Sequence, residues 1–192
     1  MSRKEIKAAA KTQLGGRIFK NNWIFAILMA IFGGILISVS SATLIGLFFL
    51  ALPINYGLVK LFLKQSRDNE KMQVSTLFAG FTDDYGGVIG VQIMTVIFEF
   101  LWSLLFCIPG IIKHYSYSMA IYVKADHPDY DWHKCMAESK TMMKGNKWKF
   151  FVLQLSFIGW DIVGCLCLGI GSLWVGAYKS ASYAQFYNSL TK

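Results

Sequence analysis

The chain has 192 residues, 55% of them apolar and only 16% charged, with a net charge of +8 and a mean hydropathy of +0.44. A soluble domain carries roughly 25% charged residues, so this composition excludes an ordinary water-soluble globule. The basic excess does not describe a nucleic-acid surface either, because it alternates with hydrophobic blocks instead of forming one patch.

In chain order, Glu5–Leu14 carries a weak helical alternation of apolar and basic residues and precedes the apolar block Trp23–Val39. No small-residue cleavage site follows that block, which therefore reads as a permanent span and not a signal peptide. A second block, Thr43–Leu63, contains Pro53, where the missing N–H can open a kink, followed by Asn55 and Tyr56. Val88–Cys107 and Trp148–Leu168 complete the four long blocks. Each approaches or reaches the roughly 20 residues that cross a bilayer. Ile111–Val123 and Gly171–Tyr187 are shorter and more polar.

Lys and Arg cluster before the first block (Arg3 to Lys20), between the second and third (Lys60 to Lys71), and between the fourth and fifth (Lys124 to Lys149). The turns "SVSSA", "CIPG" and "CLGIG" contain neither. The positive-inside rule then puts both termini and the basic connections in the cytoplasm and the neutral turns outside.

Three pentapeptides share the pattern Thr-x-apolar-x-Gly: "TQLGG" from Thr12, "TLFAG" from Thr76 and "TMMKG" from Thr141, spaced by 64 and 65 positions. Each precedes an apolar crossing, a neutral turn and a second crossing. "SYSMA" (Ser116–Ala120) and "SASYA" (Ser180–Ala184) recur at the same spacing of 64. Internal repetition fixes architecture. A unit with two crossings returns to its starting side, so the copies share one orientation and permit a pseudo-threefold axis along the membrane normal.

The expected fold is therefore an all-α membrane bundle of six crossings, forming one domain over residues 1–192. It is built as three helical hairpins (about 1–65, 66–130 and 131–192), each preceded by a short amphipathic interfacial helix. In the third of these helices, Trp132, Met136, Met142 and Met143 share a face with Cys135 and Ser139, opposite several lysines. Such a helix lays its Trp/Met face into the acyl boundary and its lysines among anionic inner-leaflet head groups; packing beneath the bundle as a cytoplasmic belt is the alternative. Asp131 is placed to cap it, and Gly145-Asn146 gives a left-handed exit.

Four charges fall within the crossings, away from the basic connections: Glu99, Lys113, Asp161 and Lys179. A charge at the bilayer centre costs at least about 2.5–3.5 kcal/mol, so each should face protein, water or a partner. Asp161 and Lys179 lie at matching depths, about 12 Å from their shared turn, which makes a pair across the third hairpin natural. Glu99 and Lys113 are offset by about 9 Å, which sends Glu99 toward another hairpin, a water or a proton. Ser116 and Ser180 join Lys113 and Lys179 in polar stripes. These stripes, with Asn55, line either a hydrated path or close helix contacts glued by hydroxyls.

Catalytic chemistry is thin. "HPDYDWH" (His127–His133) reads as a turn and cap in preference to a metal site. No phosphate-binding, zinc-protease or nucleophile-elbow motif occurs. No enzyme, cofactor or metal is expected. Cys107, Cys135, Cys165 and Cys167 lack metal-ligand spacing and read as packing residues, with a disulfide between outer turns left open.

The segments "IPGIIKHYSYSMAIYVKADHPD", "SKTMMKGNKWKFFVLQLSFIGW" and "GIGSLWVGAYKSASYAQFY" resemble bacterial integral membrane proteins of domain of unknown function 975. That resemblance implies a multi-helix protein of the bacterial cell membrane and carries over no catalytic residue. The function expected from the residues is non-enzymatic: an accessory or scaffold subunit with lipid contacts and a membrane-protein partner or homo-oligomer, and no nucleic acid. A small solute or ion transporter using the buried charges is the alternative, and a lipid-binding or lipid-modifying protein the third option.

Overall fold

The structure, a computed structural model, describes residues 3–13, 26–33, 35, 50–68, 73–105, 107–166 and 170–191. Most of them are helical, with no strand among them. The helices are α1 (Arg3–Gln13), α2 (Leu52–Asp68), the single turns α3 (Val74–Leu77) and α4 (Ala79–Thr82), α5 (Tyr85–Leu105), α6 (Cys107–Tyr117), α7 (Ala120–Asp126), α8 (Trp132–Met142), α9 (Lys147–Leu166) and α10 (Ile170–Thr191). Residues 26–33 are also helical.

The all-α class is as expected. Among the described residues, one helical stretch, Tyr85–Leu104, is long and apolar enough to cross a membrane. Two antiparallel pairs stand out, α5 against α6 and α9 against α10. The central element is α2, which touches α4, α5, α7 and α10. Its Tyr56 and Phe62 are buried with Tyr122 of α7 and Phe186 and Tyr187 of α10. Tyr122 and Tyr187 stack with ring centroids 5.8 Å apart. Large aromatic side chains thus fill the place where these helices meet.

The chain turns much of its apolar surface outward. Phe100, Leu104, Ile111, Leu155, Ile158 and Ile162 are all exposed, Leu104 by 74%. Scattered exposed leucines are normal, but an exterior this apolar on several helices is not that of a water-facing monomer.

The three segments carrying Thr-x-apolar-x-Gly each rest on a different helix: α1 on α10, α3 and α4 on α2, and α8 on α7. They are not alike in detail. The first and third are 11-residue helices, whereas the second is two single turns broken at Phe78. The expected glycine bend occurs at Gly145, whose φ of +82° is left-handed, as a chain leaving a helix requires. Gly80 is helical and has another reason to be glycine. A Cβ there would lie 2.3 Å from the Pro53 carbonyl oxygen, and one at Gly57 would lie 1.9 Å from that of Leu77. Two glycines therefore let the α3–α4 turns press backbone to backbone on α2. Gly16 lies outside the described residues.

The second recurring motif also diverges. Ser180–Ala184 sits inside the unbroken α10, but Ser116–Ala120 spans the break between α6 and α7. Ser139 of α8 fills that break: its hydroxyl donates to the Ser116 carbonyl at 2.8 Å and accepts from the Met119 N–H at 3.2 Å. Both backbone groups are thereby satisfied where the helix ladder is interrupted, as buried backbone demands.

The acyl-boundary placement of α8 is corrected by its packing. Its Cys135, Met136 and Ser139 are buried, Met143 just past its end is fully buried, and Met142 is partly so. Trp132 packs beside Gly90 and Phe98 of α5 and stacks on His133. Protein, not open surface, covers this face, as in the belt alternative. Asp131 caps the helix, accepting from the Trp132 N–H at 2.7 Å.

Candidate functional site

Polar and charged groups gather in three places. The first is the set of charges inside apolar segments. Lys179 Nζ donates to Asp161 Oδ2 at 2.6 Å, the pairing that their depths favoured. Glu99 does not reach another hairpin: its Oε2 lies 3.2 Å from Nδ1 of His114 on the facing helix α6. Lys113 sits over the Trp102 ring at 4.3 Å and near Tyr117 at 5.9 Å, where the ring faces attract its ammonium. Matching depths pair Lys and Arg with Asp and Glu, which leaves His114 without a signal in the sequence. His114 is one residue beyond Lys113, and that step turns it to the side Glu99 occupies.

The remaining predicted polar residues serve mainly local bonds. Asn55 donates to Gln92 Oε1 at 3.1 Å, and Gln92 donates in turn to the Leu52 carbonyl at 2.9 Å. This chain ties α2 to α5 beside Pro53. Ser116 is buried and donates to its own helix at Ile112 O, 2.8 Å away. Ser180 is half-buried on α10. The break at residues 118–119 divides the fourth segment's polar stripe, so Lys113 and Lys124 are not on one continuous helix.

The second place is a knot around Lys124, fully buried at the middle of α7. Its ammonium donates to Asp84 Oδ2 at 2.7 Å, the Pro128 carbonyl at 2.7 Å and the Tyr130 carbonyl at 2.8 Å, so all three protons are used. Gly87 makes room for this pair, since a Cβ there would collide with the Asp84 carboxylate. The hydrogen bond from Lys124, then the Gly87 N–H, hold the Asp84 carboxyl below the usual carboxylate range despite some opposing burial. Beside it, Asp83 pairs with Lys60 and accepts from the Tyr56 hydroxyl at 3.0 Å. The knot joins α2, the loop before α5, and the α7–α8 connection. The doublet Asp83-Asp84 before Gly86-Gly87 is its sequence signal, whereas Lys124 reads both as a basic residue of a cytoplasmic connection and as the last member of the fourth segment's polar stripe.

The third place lies where the C-terminal ends of α2, α7 and α10 converge. Arg67 pairs with Asp126 through both terminal nitrogens, and its Nε donates to Asn188 Oδ1 at 3.0 Å. Asn188 donates to Ser66 Oγ at 2.5 Å, and Tyr187 donates to Asp126 at 3.1 Å. Burial pushes the Asp126 carboxyl up, but the Arg67 and Tyr187 hydrogen bonds outweigh it and leave the group below its ordinary value. A cavity of about 800 Å³ opens beside this network.

At the chain's start, α1 buries Ile6 and Ala10 against α10. Lys7 donates to the Ser156 carbonyl at 3.2 Å, lies 4.2 Å over the Phe157 ring and accepts at its carbonyl from Tyr178. Burial, then Arg3, lower the Lys7 pKa. Cys135 is a buried free thiol pushed up to about 11, chiefly by that burial. The side chains of Cys107, Cys165 and Cys167 lie outside those described.

Among the described residues, these arrangements tie helices to one another. No curated protein and no solved structure matches the chain. A family model described as a protein of unknown function (DUF975) does match, over residues 104–192, the part that contains α6 to α10 and the Arg67 partners Asp126 and Asn188. Over that C-terminal stretch the chain is similar to the DUF975 family.

Proposed function

We propose that this is a non-enzymatic, multi-pass protein of the bacterial cytoplasmic membrane that acts through its helical bundle as a scaffold or accessory subunit for a membrane partner. In this reading six crossings form three hairpins of one orientation, with both termini and the basic connections in the cytoplasm and the latter among anionic head groups. Three features support it. The apolar exterior of α5, α6 and α9 is what lipid contact requires. The three Thr-x-apolar-x-Gly segments each rest on a different helix, as a pseudo-threefold array would have them. The basic residues collect on the connections between apolar blocks.

The observation that carries the scaffold function over transport is that the intramembrane charges are partnered and the helix junction is filled. Asp161 is paired with Lys179 and Glu99 with His114, and Lys113 lies on aromatic faces. The junction of α2, α7 and α10 is filled by Tyr56, Phe62, Phe186 and Tyr187, each no more than 2% exposed. A conducting path needs binding groups weak enough to release an ion and room to pass it. The test is to purify the full chain from native membranes, identify what co-purifies, and reconstitute the chain alone into liposomes. A stoichiometric membrane partner with no ion or solute flux is expected; flux lost on Asp161→Asn or Lys179→Met overturns the scaffold reading in favour of transport.

A further inference from the structure

The cavity at the converging ends of α2, α7 and α10 has a chemistry that the scaffold reading does not use. Its one arginine has its charge matched: Arg67 turns both terminal nitrogens to Asp126 and its Nε to Asn188. Asp126 is neutralised in the same exchange. Glu138 of α8 also lines the cavity, is half-buried, and makes no ion pair or hydrogen bond among the described residues. One unmatched negative charge therefore faces the space.

The backbone adds to it. The last four carbonyls of a helix have no partner within it, and the macrodipole gives that end about half a negative charge. Residues from the last turns of the two long helices α2 and α10 line this cavity, Ser66 and Arg67 on one and Asn188, Leu190 and Thr191 on the other, with Asp126 at the end of the short α7. The site is thus electronegative within a chain whose net charge is +8. Its volume lies within the roughly 300–1,000 Å³ of small-molecule sites.

A bare divalent cation does not fit. Calcium takes about 6–8 oxygen ligands and magnesium demands a tight octahedron, whereas one free carboxylate is on offer. The remaining wall sets the His127 ring, whose Nε2 lies 3.8 Å from Asp126 Oδ2, and the hydrogen-bonding Gln185 beside the apolar Met142 and Leu190. An ammonium head with an aliphatic stem matches both parts.

We infer that this cavity binds a primary ammonium carried on a flexible aliphatic chain, with Glu138 as its counter-ion and Met142 and Leu190 against the stem. The ligand is either a free polyamine or the lysine side chain of a partner segment. The inference does not depend on the number of crossings or on the scaffold role.

The test uses the full chain in nanodiscs of zwitterionic lipid, which keeps polycations off the bilayer, titrated calorimetrically with spermidine and separately with a trilysine peptide. One equivalent of at least one probe binds, more weakly as salt rises. Glu138→Gln weakens binding about tenfold or more, and Glu138→Asp retains most of it. Leu190→Trp, which fills the cavity, weakens binding while leaving the Glu138 charge in place. Binding of spermidine alone identifies a free polyamine, and binding of trilysine alone a partner's lysine. If neither probe binds above empty nanodiscs at about 1 mM, or if Glu138→Gln binds like the native chain, the inference is wrong. Melting curves of the three variants that superpose on the native one separate lost binding from lost folding.

Discussion

Replacing Lys124 with Met tests whether the buried knot organises the connections. Lys124 is 0% exposed and Asp84 51% exposed at their side chains, so the two ends of the ion pair are unequal. Removing the ammonium strands the Pro128 and Tyr130 carbonyls, each of which then bears a desolvation penalty of about 1–3 kcal/mol. The Asp84 carboxylate recovers water easily, so its loss is small. A one-sided break of a fully buried pair costs about 3–5 kcal/mol; with one partner half-exposed, about 2–4 kcal/mol is expected for Lys124→Met. Asp84→Asn leaves the ammonium its two carbonyls and an amide oxygen, and should cost about 1–2 kcal/mol. In a chain of this length 1 kcal/mol moves the melting temperature by about 2–4 °C. Lys124→Met should therefore melt roughly 5–15 °C lower, and clearly below Asp84→Asn, when unfolding in detergent is followed by tryptophan fluorescence. A native-like melt for Lys124→Met, or a lower one for Asp84→Asn, refutes the argument.

Gly57→Ala forces a Cβ to within 1.9 Å of the Leu77 oxygen, so it should cost at least about 1–3 kcal/mol. Gly159→Ala meets nothing within 4 Å and should be neutral or gain up to about 1 kcal/mol of helix propensity; the two melts make the comparison. Asp161→Asn and Lys179→Met should each destabilise more than the double variant, with a coupling of about 0.5–3 kcal/mol in a double-mutant cycle. Asp84 and Asp126 both titrate below their ordinary value in the folded chain. Their contribution is therefore complete above about pH 4 and lost as pH falls through the lower folded values. Melting temperature should be level on this account from pH 8 to pH 5 and fall below about pH 4, less so in Asp84→Asn.

Features governed by local spacing could be read in advance. The Asp161–Lys179 pair follows from equal distance to one turn, the Asp131 cap from its place before an apolar run, and the Gly145 exit from a glycine ending a helix. Features set by where two distant segments meet could not. Ser139 reads as one more residue on a helix face until the break at residues 118–119 lies against it. Gly80 reads as an elbow until Pro53 is found where its side chain would go. The apolar face of α8 has one sequence pattern for lipid and for protein, and only the packing of α5, α6 and α7 decides it. Spacing along α8 gives Glu138 no distinction either, because the cavity beside it is built from four helices.

The account rests on the basic connections lying in the cytoplasm. The direct measurement is labelling of single cysteines by a membrane-impermeant maleimide in intact bacterial cells, in a variant lacking the four native cysteines. Lys64→Cys and Lys144→Cys, both at exposed positions, should react only after permeabilisation, whereas Ser40→Cys in the expected outer turn should react in intact cells. Labelling of Cys at 64 or 144 from outside, with Cys at 40 protected, would contradict it.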